Sequence, residues 1–266
     1  MVWQRLRVFA TFGLAIGLLL AAEGFTGACR AGMISYGDFG PVPPGVMFVD
    51  VIESSGTDPV PLFGIPDPFS VGLDFDPTSF VATANGGAAD VTDGQLNFLV
   101  MGSVNLPDFV GISTISLFEA GDYTLAGTGT ASTQAIAGAN ILATVTQING
   151  VNVAPINLVP ASGSVTFDLA ANPGIVQPWS LDLMIDVAAQ LGPNQKATKV
   201  EIAIDNQLLA LSETGSLSFI AKKDFRITVE PEGEIPIPEP NSLMLVLSSC
   251  VFWAATRRCK YSLAAC

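Results

Sequence analysis

Lys199-Val200-Glu201-Ile202-Ala203-Ile204-Asp205 is the stretch whose reading decides the fold. Successive side chains of an extended chain point to opposite faces, so Val200, Ile202 and Ile204 share one face while Lys199, Glu201 and Asp205 share the other. A strand that is apolar on one side and charged on the other belongs to an antiparallel sheet with one face on a core and one face wet. Ser164-Val165-Thr166-Phe167-Asp168-Leu169 alternates in the same way.

The same period of two, or short β-branched runs, recurs outward from these segments in both directions. It predicts strands at 34–39, 46–53, 69–75, 80–84, 94–104, 111–118, 123–131, 134–147, 163–169, 179–188, 199–205, 217–221 and 225–229. Turn residues punctuate them: Ser55-Gly56-Thr57-Asp58-Pro59, Asn85-Gly86-Gly87, Thr92-Asp93-Gly94, Glu119-Ala120-Gly121-Asp122, Asn149-Gly150 and Asn172-Pro173-Gly174. Asn149-Gly150 between apolar runs is a two-residue hairpin signal. Ala126-Gly127-Thr128-Gly129-Thr130-Ala131 offers small side chains that would let sheets pack closely. About a dozen strands in roughly 200 residues, with no internal repeat, predict an all-β fold: a single jelly-roll-like antiparallel β-sandwich over 32–229.

Composition narrows the chemistry. The 266 residues carry a net charge of −13 and contain no histidine. This excludes His-based acid–base and nucleophile-activating catalysis and the commonest zinc ligand. No Lys or Arg occurs between Arg30 and Lys196. A body this acidic repels phosphate backbones, so no nucleic-acid partner is expected. The cysteines, Cys29, Cys250, Cys259 and Cys266, lie in or beside the terminal segments, which leaves the body without a disulfide framework or a thiol nucleophile.

Both ends read as addresses. Arg5 and Arg7 precede an apolar run from Val8 to Ala22 and then small residues, the pattern of a signal peptide over 1–31. Cleavage between Ala31 and Gly32 fits, with cleavage after Ala28 as the rival and lipidation of Cys29 as a further alternative. At the other end, 230–241 is a Pro/Glu-rich linker containing Pro238-Glu239-Pro240, whose prolines forbid helix and central strand. A short hydrophobic helix is expected over 242–256, and a basic tail over 257–266 carries Arg257 and Arg258. The apolar core of that helix, about 13 residues, is short of the roughly 20 that an ordinary span needs. The basic cluster would stay cytoplasmic and place Pro238-Glu239-Pro240 on the outer face of the membrane.

The tail from Ile237 to Arg258 resembles the PEP-CTERM sorting signal of Gram-negative bacteria: the Pro-Glu-Pro tripeptide, Asn241-Ser242-Leu243, the apolar helix and the Arg pair. The resemblance implies export by the Sec machinery and transient membrane contact through the C-terminal helix. It further implies processing by an exosortase-type membrane enzyme and delivery to the cell surface or extracellular matrix. Cys259 to Cys266 extends the tail beyond the point where such signals usually stop. The body is also similar to planctomycete-type exported β-rich proteins at Ser35-Tyr36-Gly37-Asp38-Phe39, Gly56-Thr57-Asp58-Pro59, Thr92-Asp93-Gly94-Gln95-Leu96 and Lys222-Lys223-Asp224-Phe225. That group implies no known activity.

Three functions follow as expectations. The first is a non-enzymatic structural or adhesive component of the surface or matrix, with extracellular polysaccharide as a partner. The second is a carbohydrate-binding module, for which Trp179, Tyr36 and Tyr123 are the aromatic candidates. No cofactor is expected, with structural calcium as the alternative, held by Asp74, Asp76, Asp90 and Asp93: carboxylates at i and i+2 face one side of a strand and turn aspartates can complete an oxygen shell, although turn aspartates more commonly cap local backbone amides. The third is a glycoside hydrolase using two of Asp168, Asp182 and Asp186. Asp182 and Asp186 alternate with Leu and Ile and read instead as the wet face of one strand, so no enzyme is expected.

Overall fold

The computed structural model describes residues 32–232 apart from 43–45, 70, 103, 106 and 107. Ala31, Pro238, Glu239, Pro240, Arg257, Arg258 and the 242–256 helix therefore lie outside the described residues, and Gly32 opens the first strand. Among the described residues no helix is long and apolar enough to cross a membrane.

The described chain is all-β and antiparallel. Its strands are β1 (Gly32–Val42), β2 (Val46–Ser55), β3 (Asp67–Phe69), β4 (Gly72–Phe75), β5 (Val81–Asn85), β6 (Ala89–Gly102), β7 (Val104–Asn105) and β8 (Asp108–Phe109). They continue as β9 (Gly111–Gly127), β10 (Gln134–Ile148), β11 (Val151–Asn157), β12 (Ala161–Asp168), β13 (Gly174–Asp186), β14 (Ala197–Leu211) and β15 (Ser216–Glu232). The first layer runs β1-β2-β6-β14-β10, and the far edge of β10 is shared by β12 along one half and β11 along the other. The second layer runs β13-β9-β15, and the far edge of β15 is shared by β5 and β4, with β3 beyond β4. A single pair, Ala197 opposite Ile112, joins β14 to β9. On the other flank β12 lies against β13, so the sandwich is nearly closed.

The layers meet through the alternation that defined them. Val200, Ile202, Ile204, Leu208 and Ala210 of β14 are buried, and so are Leu96, Phe98 and Val100 of β6. Facing them are Ile115, Leu117 and Leu125 of β9 with Ile220, Phe225, Ile227 and Val229 of β15. β10 presents Ala135, Ala137, Ala139 and Ala143 inward. This face of β10, small except at Ile141 and Val145, is the one turned to the core. The Gly/Thr patch from Ala126 does not serve that purpose. From Thr128 onward it is an exposed loop leading to β10. Glu213, in the β14–β15 turn, holds that loop by accepting from the Thr130 N–H at 2.5 Å and from the Thr133 hydroxyl at 3.0 Å.

Two interruptions expected from turn composition are absent. Glu119-Ala120-Gly121-Asp122 lies within β9, and Thr92-Asp93-Gly94 within β6. In both cases glycine serves close approach. A Cβ on Gly121 would stand 1.9 Å from the Ala221 carbonyl oxygen, and one on Gly94 would stand 2.7 Å from the Phe80 ring. The Asn149-Gly150 hairpin is present, with both residues at positive φ (49° and 77°) and Ile148 paired with Val151. β11 was not expected. Most of its side chains are exposed, so no alternation marks it.

A β-bulge interrupts β15, where its register with β9 shifts between Lys222 and Asp224. Before it Ser218, Ile220 and Lys222 point inward; after it Phe225, Ile227 and Val229 do. A bulge adds one residue to one strand and so reverses which positions face the core. Here it puts both Lys222 and Phe225 inside.

Candidate functional site

The outer face of the first layer carries a groove of about 830 Å³. Its floor is a polar row running across five strands: Ser54, Gln95, Asp205, Asn140 and Ser162 are successive cross-strand neighbours. Side chains directly opposite on one face of a sheet touch, and these are organised by hydrogen bonds. Gln95 Nε2 donates to Asp205 Oδ1 at 2.6 Å, and Asn97 Nδ2 donates to Gln95 Oε1 at 3.1 Å. Gly138, beside Gln207 in the next row, contributes no side chain and keeps the trough open. Such a surface offers amide donors and carboxylate and hydroxyl acceptors, the complement of a ligand rich in hydroxyl groups.

The aromatic candidates lie elsewhere. Trp179 is buried and donates from Nε1 to the Ala221 carbonyl at 3.1 Å. Tyr123 is buried with its ring 4.0 Å from that of Phe167, stacked at 12°. Tyr36 donates to Glu53 Oε2 at 2.5 Å, and burial together with that carboxylate pushes its phenol well above the ordinary tyrosine range. The buried Glu53 also accepts from the backbone N–H groups of Leu62 and Phe63.

The acidic candidates are engaged locally. Asp93 Oδ1 accepts from the N–H groups of Gly56 and Thr57 and from the Thr57 hydroxyl, at 2.9, 3.0 and 3.0 Å. Asp90 accepts from the Thr83 N–H at 2.7 Å, and Asp74 pairs with Arg226 at 3.2 Å. Asp76 is exposed; burial raises the Asp224 carboxyl, against the pull of Arg226 and with the charges of Asp74 and Asp76 adding to the rise. Among the described residues no group of three or more carboxylates or thiols is arranged to hold a metal ion. Asp168 accepts from the Ala171 N–H and Asp186 from the Ala189 N–H, both at 2.8 Å, as turn-capping aspartates do. Asp182 is exposed beside Met184, on the wet face the alternation predicts.

A second polar group lies inside the sandwich. Lys222 of β15, Glu119 of β9 and Asn206 of β14 are each buried on a stripe that is otherwise apolar. Lys222 Nζ is 2.9 Å from Glu119 Oε2 and donates to Asn206 Oδ1. The rings of Phe80, Phe225 and Phe63 surround it, with centroids 4.6, 5.0 and 5.7 Å from Nζ. Burial drives the Glu119 carboxyl up, against the opposing pull of Lys222 and Asn206, and drives the Lys222 amine down, against Glu119. Asn206 Nδ2 is buried in the same group. Sequence reading passed over this group. The alternation through Val200, Ile202 and Ile204, carried two residues further, would have put Asn206 inside.

No family model matches the chain, and no curated protein matches it. Among solved structures it is similar to a carbohydrate-binding module specific for non-crystalline cellulose (CBM28), at 12% identity over 64% of this chain and 79% of that one, TM-score 0.24. It is also similar to lectin I-B4 from Griffonia simplicifolia in metal-free form, at 12% identity over 74% of this chain and 99% of that one, TM-score 0.19. A third is the enzymatically active domain of tailspike protein 4 of bacteriophage CBA120, at 10% identity over 74% of this chain and 19% of that one, TM-score 0.20. Likeness at these TM-scores carries nothing about function.

Proposed function

We propose that the protein is an exported, non-enzymatic structural or adhesive component of the cell surface or extracellular matrix. In this reading a jelly-roll-like sandwich is delivered by a PEP-CTERM-type signal at 237–258. The observation that carries it is the place of β15. This strand runs on to Glu232, so that the first three residues of the linker expected at 230–241 are paired with β9, and it is hydrogen-bonded to β9 on one side and to β5 and β4 on the other. Tension applied through the linker would act along the strand and load many hydrogen bonds at once, as suits a tethered domain. Mass spectrometry of the protein from fractionated cells tests the reading. Termini near Gly32 and Pro238 in the surface fraction are expected. A chain ending at Cys266 and held in the membrane overturns the sorting step.

The polar groove favours a second reading, recognition of an extracellular polysaccharide. Asp205→Ala and Gln95→Ala would each remove a partner from the hydrogen-bonded row. Each is expected to weaken retardation in affinity electrophoresis through a bound glucan by about 5- to 10-fold, the worth of one or two hydrogen bonds. Retardation equal to the parent protein's overturns this reading. Structural calcium belongs to it as a further proposal, supported if the melting temperature rises with calcium and falls with chelator.

A further inference from the structure

The body holds five cations, Lys196, Lys199, Lys222, Lys223 and Arg226, and one of them is enclosed by phenyl rings. A buried ion pair is a poor device for stability, because well-packed apolar residues of the same volume do as well or better. The group's geometry suits a reaction instead. An amine, a carboxamide and a carboxyl group come from three strands in two layers and converge on one point, with the amine touching both partners.

We propose that Lys222 and Asn206 are joined by an isopeptide bond that forms inside the folded sandwich, with Glu119 as the acid–base catalyst. In water an amine does not attack a carboxamide, because it is protonated, the carbonyl is a weak electrophile and the leaving group is poor. The site removes each obstacle. Desolvation favours the neutral forms of both Lys222 and Glu119, so a proton passes from Nζ to the carboxylate and leaves a free amine beside a carboxylic acid. The acid donates toward the carboxamide oxygen and polarises Cγ of Asn206. Paired strands fix both backbones, so the reacting groups meet at high effective concentration. The rings of Phe63, Phe80 and Phe225 keep out the water that would compete.

The atoms balance without oxidant or cofactor. Nζ attacks Cγ, a C–N bond forms and the Cγ–Nδ2 bond breaks. Starting from the neutral amine and carboxylic acid, Glu119 gives its proton to Nδ2, which departs as ammonia, and takes one from Nζ as the amide forms, ending as the carboxylic acid it was. The cross-strand partner of Asn206 on β6 is Gly94, whose lack of a Cβ lets the rings of Phe63 and Phe80 come close over the site.

The test is the mass of the denatured full-length protein. It is expected to be lighter than its sequence by one ammonia, beyond any terminal trimming. Cleavage after Glu213 should leave the segment with Asn206 covalently attached to the segment with Lys222. A full mass with the two segments separable overturns the proposal. Loss of water with Lys222 linked to Glu119 overturns it equally. Lys222→Met should keep full mass. Asn206→Asp should lose water and give the parent's cross-linked product. Glu119→Gln, if folded by circular dichroism, should keep full mass; ammonia loss in that variant would overturn the catalytic role of Glu119.

Discussion

Glu119→Ala is expected to cost the fold about 3–5 kcal/mol, because it leaves an uncoupled and fully buried Lys222 amine without the group that faces it. The carboxylate lies 2.9 Å from Lys222 Nζ in a setting with no water to replace it. The deficit should depend on pH, with a sign that follows from the lysine. Its folded-state pKa is depressed by burial, and without Glu119 the depression deepens. The unfolded chain then binds the proton that the folded chain rejects, so stability rises with pH until the ordinary lysine range is reached. Urea unfolding at neutral pH and near pH 10 should show the gap between variant and parent narrowing at the higher value. A deficit independent of pH would mean that Glu119 contributes by packing alone. The variant also loses the Lys222–Asn206 link, which closes a loop of about 17 residues. Chain-entropy accounting of the kind used for disulfides sets the worth of such a closure at about 3 kcal/mol.

Phe63→Ala is the second large effect expected, about 3–5 kcal/mol from lost transfer energy and the cavity left behind. Phe63 belongs to the irregular segment between β2 and β3, yet its side chain is fully buried. Its ring centroid stands 4.8, 5.0 and 6.1 Å from those of Phe225, Phe80 and Phe75, all at edge-on angles. The loop acts as a plug, pinned by the Glu53 carboxylate through the N–H groups of Leu62 and Phe63. The urea midpoint should fall with its slope unchanged, and Phe63→Leu should cost less than half as much. If Phe63→Ala proved near-neutral, the loop would not be part of the core.

Much of the sandwich was legible because alternation is a local property. The strand about Ile202 and the Asn149-Gly150 hairpin could be read from a few residues each. What escaped was decided across the layers. Glu-Ala-Gly-Asp looks like a turn wherever it occurs, and only the amine on β15 makes Glu119 a strand residue facing inward. Gly94 looks like a turn glycine until the phenyl rings above it are known. The bulge after Lys222 changes the phase of β15, which no local pattern announces. Of the candidate cation ligands, Asp90 and Asp93 accept from the N–H groups of Thr83 and Gly56, partners that only the strand pairing brings to them. The polar row of the groove is assembled from five separate strands, so its members are scattered along the sequence.

The positions of β14 and β15 bear on when this chain can fold. Each lies in the interior of its layer, β14 between β6 and β10 and β15 between β9 and the pair β5 and β4. Both are the last strands among the described residues. On the proposed export route, a chain threaded N-terminus first through a narrow pore would emerge with most of these strands lacking the neighbours that complete them. Because such pairing joins residues far apart in sequence, its closure is slow and late. On the proposed export route, this topology would delay commitment to the native state until nearly the whole body had crossed, and so keep the chain in the extended form that passage requires.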